Sequence, residues 1–247
     1  MRYSTELLAV GLLSIAGAAG ADGVTATVTG SSDYDFRGIT QNAMDPALAI
    51  SVDYAHDSGF YAGIWGSPVD FGDCCNEDIE LDYYAGYSWG SEDGPTWNAF
   101  AVYYTYPSTG TAGGGAFPSD ASFPEVNFGV TYKWLNAKLW YSWDFANFDH
   151  DAYYVDTSGT FELPQGFSLV VHAGYSGGDY WSSQVSGLSE YYDYSIGVTK
   201  SVGHFNLGLK FIDGSNLSEL NNTPSDVFSS DSKAYFSIST TFPWSSE

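Results

Sequence analysis

The feature that most constrains this chain is two-residue alternation of apolar and polar side chains, sustained over long runs and repeated from one end to the other. In the clearest run Ile79, Leu81, Tyr83, Ala85, Tyr87 and Trp89 alternate with Asp78, Glu80, Asp82, Tyr84, Gly86 and Ser88. Successive side chains of a strand point to opposite faces, so this run has one apolar and one polar face. An earlier run places Val24, Ala26, Val28, Gly30, Ser32, Tyr34 and Phe36 on one face, and Thr25, Thr27, Thr29, Ser31, Asp33, Asp35 and Arg37 on the other. Strands of globular proteins average about 5–6 residues. One spanning 24–37 is long enough to cross a bilayer at a tilt.

Twelve such runs are predicted, near 24–37, 46–56, 60–70, 78–89, 96–106, 124–133, 137–145, 151–162, 167–176, 190–199, 204–212 and 232–242. In those near 60–70 and 96–106 both faces hold aromatic and small residues, so the pattern does not say which side meets lipid. No segment beyond the N-terminus approaches the about 20 apolar residues of a membrane helix. A membrane form of this chain therefore has to be a closed barrel, in which every backbone polar group is satisfied between strands.

The gaps between runs sort by parity. Longer polar connections (38–45, 71–77, 107–123, 146–150, 177–189, 213–231) alternate with short turns (57–59, 90–95, 134–136, 163–166, 200–203). Outer-membrane barrels show this asymmetry, with long outer loops, short periplasmic turns and both termini periplasmic when the strand number is even. Asp57-Ser58-Gly59 and Pro164-Gln165-Gly166 supply turn chemistry at the short ends. A soluble sandwich has no reason to sort its loops in this way.

Residues 1–21 read as an export signal: Arg2 precedes the apolar run Leu7 to Ala18, and Ala19-Gly20-Ala21 offers small residues for cleavage before Asp22. The apolar run is too short for a membrane anchor. Residues 22–247 then form one barrel domain. Aromatic residues make up 18% of the sequence, which suits the ring girdles of a barrel wall. Asp plus Glu number 30 against 7 Lys plus Arg, a formal charge of -23. That balance excludes nucleic acid as a partner, since phosphate binding needs a basic surface. The two cysteines, Cys74 and Cys75, are adjacent and cannot join distant parts of the fold. With no third thiol or histidine nearby they do not suggest a metal, and no cofactor is expected.

The stretches SDYDFRGITQ (32–41), PALAISVDYAHDSGFYAGIWGS (46–67), EDIELDYYAGYSW (77–89), VYYTYP (102–107) and PEVNFGVTYKWLNAKLWYSWDF (124–145) closely resemble the TorF family of porin-like proteins. That family was earlier grouped as a conserved hypothetical bacterial family under the label Gcw_chp. The similarity continues more weakly through LPQGFSLVVHAGY (163–175) and YDYSIGVTK (192–200) to the closing strand. The resemblance implies an exported proteobacterial outer-membrane barrel that passes solutes, with no catalytic residues assigned. The chain departs from the family at its end, where Phe242 is followed by five more residues rather than being terminal. This bears on how the outer-membrane assembly machinery, an expected partner during biogenesis, reads the last strand.

Sorting the charges by face gives the candidate pore-lining residues. The polar faces carry Asp33, Asp35, Asp53, Glu80, Asp82, Glu125, Asp144, Asp156, Glu162 and Asp193, together with Arg37, Lys133, Lys138, Lys210 and Lys233. Lys200 falls in a short turn, so no cation is expected to face lipid. These charges either line a water-filled path with a cation bias or pair across a filled lumen. Twelve strands are intermediate in bore between a filled barrel of eight and an open one of sixteen. The expectation is an all-β, single antiparallel up-and-down transmembrane β-barrel of about 12 strands. Its expected role is a porin-like outer-membrane channel for small solutes or ions, weakly cation-preferring, with lipid as its surroundings; the alternative is a plugged structural or surface-binding barrel.

Two other classes are weaker. A barrel hydrolase would need a Ser-His pair. His56, His150, His172 and His204 include only Ser168 with His172 on a shared face, and no G-x-S-x-G elbow is present, so the chain is not expected to be an enzyme. A secreted lectin would not need lipid-facing stripes such as Leu135, Ala137, Leu139, Tyr141, Trp143 and Phe145.

Overall fold

The computed structural model describes residues 23–72, 78–91, 93–107, 121–182, 189–215 and 228–244; the export signal and the Cys74-Cys75 pair lie outside the described residues. The strands are β1 (Gly23–Ser31), β2 (Asp35–Phe36), β3 (Ile39–Thr40), β4 (Ala47–Ala55), β5 (Phe60–Pro68), β6 (Ile79–Gly90), β7 (Thr96–Thr105), β8 (Phe123–Tyr132), β9 (Leu135–Ser142), β10 (Ala152–Leu163), β11 (Phe167–Gly177), β12 (Tyr191–Val202), β13 (Phe205–Ser215) and β14 (Lys233–Phe242). A short helix, α1 (Asp179–Ser182), follows β11. All but β2 and β3 form one closed barrel of twelve strands, and each strand pairs antiparallel with its neighbours.

Closure is made by β1, whose Val28 stands opposite Ile50 of β4 on one side and Thr240 of β14 on the other. This leaves the barrel no free edge, the one way a sheet can sit in hydrocarbon with its ladder satisfied. Side-chain alternation then divides the wall into two surfaces. The outer surface is apolar all the way round: Val24, Leu48, Ile64, Phe128, Leu139, Ile196, Leu209 and Phe236 are all exposed, Val24 at 60%. A water-soluble protein does not leave a continuous apolar band open. Tyrosines border this band at the long-loop end, where the rings of Tyr153, Tyr175 and Tyr192 lie side by side across β10, β11 and β12. At the short-turn end Tyr87, Trp89, Phe128 and Trp97 form a continuous row of ring contacts, and Trp134 stacks on Phe161. Two aromatic belts around an aliphatic waist match a wall crossing lipid.

Eleven of the twelve predicted barrel strands begin and end within three residues of their expected positions, and the connections alternate in length as the parity implied. At the tight turn after β4, Gly59 has φ +97, and an added Cβ would lie 2.1 Å from the Ser88 carbonyl oxygen. The ambiguous runs are also resolved. In β5 Phe60 and Ile64 face out and Tyr61 in; in β7 Tyr103 faces out while Phe100, Val102 and Tyr104 are buried inside.

Four expectations require correction. The first run does not stay in the wall to residue 37: β1 ends at Ser31, and the chain turns inward because Arg37 (φ 54) and Gly38 (φ 83) make a tight turn joining β2 and β3. Lys133 is in the β8–β9 turn at φ 55, its ammonium 5.1 Å from the Tyr132 ring centroid, and not on the inner wall. Lys200, expected in a turn, is in β12 on the outer face, over the Phe167 ring at 4.3 Å. Its position near the short-turn rim lets the ammonium reach the interface rather than hydrocarbon. Phe145 does not face lipid; it is 6% exposed and packs on Phe123, Tyr180 and Trp181.

If the outer surface is the lipid face, Ile196→Lys, which places a charge at the waist, should lower unfolding stability in bilayers by roughly 2–4 kcal/mol. The closed ladder should also make the folded protein migrate differently on gels before and after boiling. Equal stability of the Ile196→Lys protein would show that this surface is not in hydrocarbon.

Candidate functional site

The candidate site is the long-loop mouth of the barrel, where the connection between β1 and β4 folds inward. Its core is the β2–β3 hairpin, Asp35 to Thr40, with the turn at Arg37-Gly38. A loop carrying Asp33, Asp35 and Arg37 in sequence would ordinarily remain in water. Here all three are buried, and each charge meets an opposite charge on the wall or in the loop.

Arg37 is the tip. Its Nη2 donates to Glu125 Oε2 of β8 at 2.7 Å, and its guanidinium lies 4.3 Å from the Tyr154 ring of β10 and 5.6 Å from the Trp140 ring of β9. Glu125, Trp140 and Tyr154 are each two residues inside the mouth, about 7 Å deep at the rise of a strand. On the opposite side Lys233 of β14 pairs with Asp33 at 2.5 Å and Asp35 at 2.9 Å. Tyr34 donates to Glu80 Oε1 of β6 at 2.7 Å and packs on Trp65 of β5. Gly38 abuts β12 so closely that a Cβ there would stand 2.9 Å from the Asp193 Cβ. The loop thus touches strands from around the whole circumference. Thr40 fixes its internal shape, its hydroxyl donating to Asp33 Oδ1 at 2.6 Å while its backbone N–H donates to the Ser229 carbonyl.

Apolar packing completes the closure. Ile39 of the hairpin joins the inward side chains Tyr61, Tyr84, Phe100, Val102, Tyr104, Trp140 and Tyr154 in one buried cluster, with Phe36 packed against it. Above it, Phe145 and α1 place Tyr180 and Trp181 over Tyr191 and Phe123. The β5–β9 side of the lumen is consequently filled with rings. Along β10–β14, β1 and β4 the inner wall carries fewer rings and many small polar residues, including Ser51, Ser158, Ser195, Thr199 and Ser237.

Deeper in the barrel is a second charged group. His172 of β11 places Nε2 3.3 Å from Asp156 Oδ1 and Nδ1 3.3 Å from Asp193 Oδ2. The Tyr154 hydroxyl donates to Asp193 Oδ1 at 2.9 Å and stands 3.2 Å from His172 Nε2. Asp53 of β4 accepts hydrogen bonds from the Tyr84 and Ser51 hydroxyls.

Of the residues singled out by sequence, Asp53, Glu80, Asp82, Glu125, Lys138, Asp156, Asp193, Lys210 and Lys233 are on the inward face of the wall. Asp33, Asp35 and Arg37 are inside but on the loop. Glu162 shares the inward parity yet is exposed at the short-turn rim. Asp144 lies beyond β9, where its Oδ1 accepts the Asp149 N–H, because that strand stops at Ser142. Of the histidines, His204 is in a turn, stacked on Trp244 at 4.8 Å, and His172 has carboxylates and a tyrosine as its partners rather than Ser168. Sequence reasoning missed the hairpin itself. The signal was present in Phe36 and Ile39, two apolar residues in a connection that otherwise should be polar.

Comparison with known proteins is consistent with this architecture. The KdgM porin superposes with a TM-score of 0.51 at 6% identity, covering 90% of this chain and 99% of that one. Its complex with disordered oligogalacturonate gives the same score, covering 91% and 100%. A chain solved in work on the in-meso crystallization of membrane proteins matches at TM-score 0.52 and 10% identity, covering 89% and 83%. These similarities show a shared fold. A search of curated proteins finds no significant relative. The family model described as a bacterial protein of unknown function (Gcw_chp) matches residues 15–242, and the chain belongs to that family.

Proposed function

We propose that this protein is a narrow outer-membrane channel for small solutes or ions, weakly cation-preferring, with its passage constricted by the β2–β3 hairpin. The porin-like fold supports that reading, as does the resemblance to TorF proteins read from the sequence. The observation behind it is the asymmetric lumen: rings fill one side, while the other carries fewer rings and many small polar side chains. In this account the long loops face the cell exterior, the short turns and termini face the periplasm, and solute runs along β10–β14, β1 and β4. Asp53 and Asp156, both partly exposed to the interior, carry the cation bias. Glu80 and Asp82, each 1% exposed beneath the loop, act on ions only when the hairpin moves. Fixed negative charge in a narrow passage draws cations and repels anions, less so at high salt.

The second reading is a plugged structural or surface-binding barrel, favoured by the number of contacts that hold the hairpin in place. Reversal potentials across a salt gradient separate the two. The wild type should show modest cation preference, and Asp53→Asn with Asp156→Asn should move the potential toward zero. An anion-selective wild type, or folded protein that carries no current, would contradict the channel.

A further inference from the structure

Not every buried charge of the mouth serves only to hold the hairpin. His172 is 22% exposed toward the interior, whereas Asp193, which it contacts, is 3% exposed and borders the hairpin tip at Gly38. The imidazole is therefore a group that protons can reach from the lumen and that touches the seat of the loop through one carboxylate.

We propose that His172 is a proton-operated latch: as imidazolium it bridges Asp156 and Asp193 and holds the β2–β3 hairpin seated, and on losing its proton it releases the seat. The geometry supplies the reason. Only the doubly protonated ring has two N–H donors, one for each carboxylate. If Nδ1 loses its proton, Asp193 loses that donor directly. If Nε2 loses it, the bare nitrogen is an acceptor 3.2 Å from the Tyr154 hydroxyl, which has one proton and now donates it to His172 instead of Asp193. Either tautomer leaves Asp193 with one donor fewer.

The surrounding charges decide the direction. Facing His172 are Asp156 and Tyr154 of β10, Asp193 of β12 and Lys210 of β13. Facing Asp193 from the loop are Asp35 and Arg37. Lys138 of β9 acts on Asp156, and Lys233 holds Asp33 and Asp35. As imidazolium, His172 is a cation in contact with both Asp156 and Asp193. When it is neutral that charge is gone, and the repulsion between Asp193 and Asp35 acts at the hairpin. The latch is thus closed below the imidazole range and loosened above it, within about pH 5 to 8. Lys233 and the Arg37–Glu125 pair remain in both states, so the change is a loosening of the tip rather than expulsion of the loop.

The latch rests on the channel reading only in its consequence for conductance, so the primary test reads the hairpin itself. Amide hydrogen exchange of the 34–41 segment in folded protein, corrected for the intrinsic pH dependence of exchange, compares pH 5.5 with pH 8. The wild type should lose about tenfold in protection at the higher pH, the effect of one charge-assisted hydrogen bond, while β12 stays unchanged. His172→Gln, which cannot bridge both carboxylates with cationic donors, should show weak protection at both values. His172→Lys, charged at both, should stay protected at both. Wild-type protection independent of pH, or a His172→Gln protein that reproduces the wild-type change, would overturn the latch. Single-channel recording alongside distinguishes the two proposals: pH-dependent protection in a protein that passes no current retains the latch and removes the channel.

Discussion

Closure of the backbone hydrogen-bond ladder is the constraint on which the rest of this structure depends. A sheet in hydrocarbon cannot leave an edge unpaired, because each orphaned N–H or C=O costs several kcal/mol there. Pairing β1 with β14 removes the edge and with it any choice about the faces. Every second residue must suit lipid, and every intervening one must suit the interior. The sequential antiparallel order then puts every long connection at one end of the barrel, so the inward hairpin and the segments carrying Phe145, Tyr180 and Trp181 meet over a single mouth.

What the interior does with that mouth is governed by buried charge. Arg37 carries its charge into a site where Glu125 is fully buried, a placement tolerable only with a partner in good geometry. Lys233 does the same for Asp33 and Asp35 from the other side. Removing one member of such a pair typically costs about 3–5 kcal/mol, because the other is left uncompensated. The pairs therefore specify where the hairpin sits more than they add to stability. The interior grades from tightly paired and dry at the long-loop end to partly exposed at Asp156 and His172. A graded interior of this kind suits a passage with one narrow point.

The sequence made the wall legible because the wall obeys a local rule. Alternation reports which face meets lipid, and it located eleven strands closely. It failed where a second burial environment replaced water. In β7 the inward residues Phe100, Val102 and Tyr104 pack against other rings and not against solvent, so both faces read as apolar. At 32–37 the alternation continued although the strand had ended, because the inward loop sets its charges toward Lys233 and Glu125 and its rings toward Trp65 and Tyr104. Glu125 and Arg37 are 88 positions apart, and no local pattern links them. The charged residues of the interior could be listed from parity; their pairing, and the position of His172 between Asp156 and Asp193, required the tertiary structure.

If the inward hairpin limits the lumen, single-channel conductance of a protein in which residues 34–41 are replaced by a short Gly-Ser link, leaving the barrel strands intact, tests it most directly. Conductance should rise severalfold above that of the full chain, in a barrel that still resists detergent before boiling. Conductance equal to the full chain would show that the passage is limited elsewhere, and the hairpin would then be a structural strut.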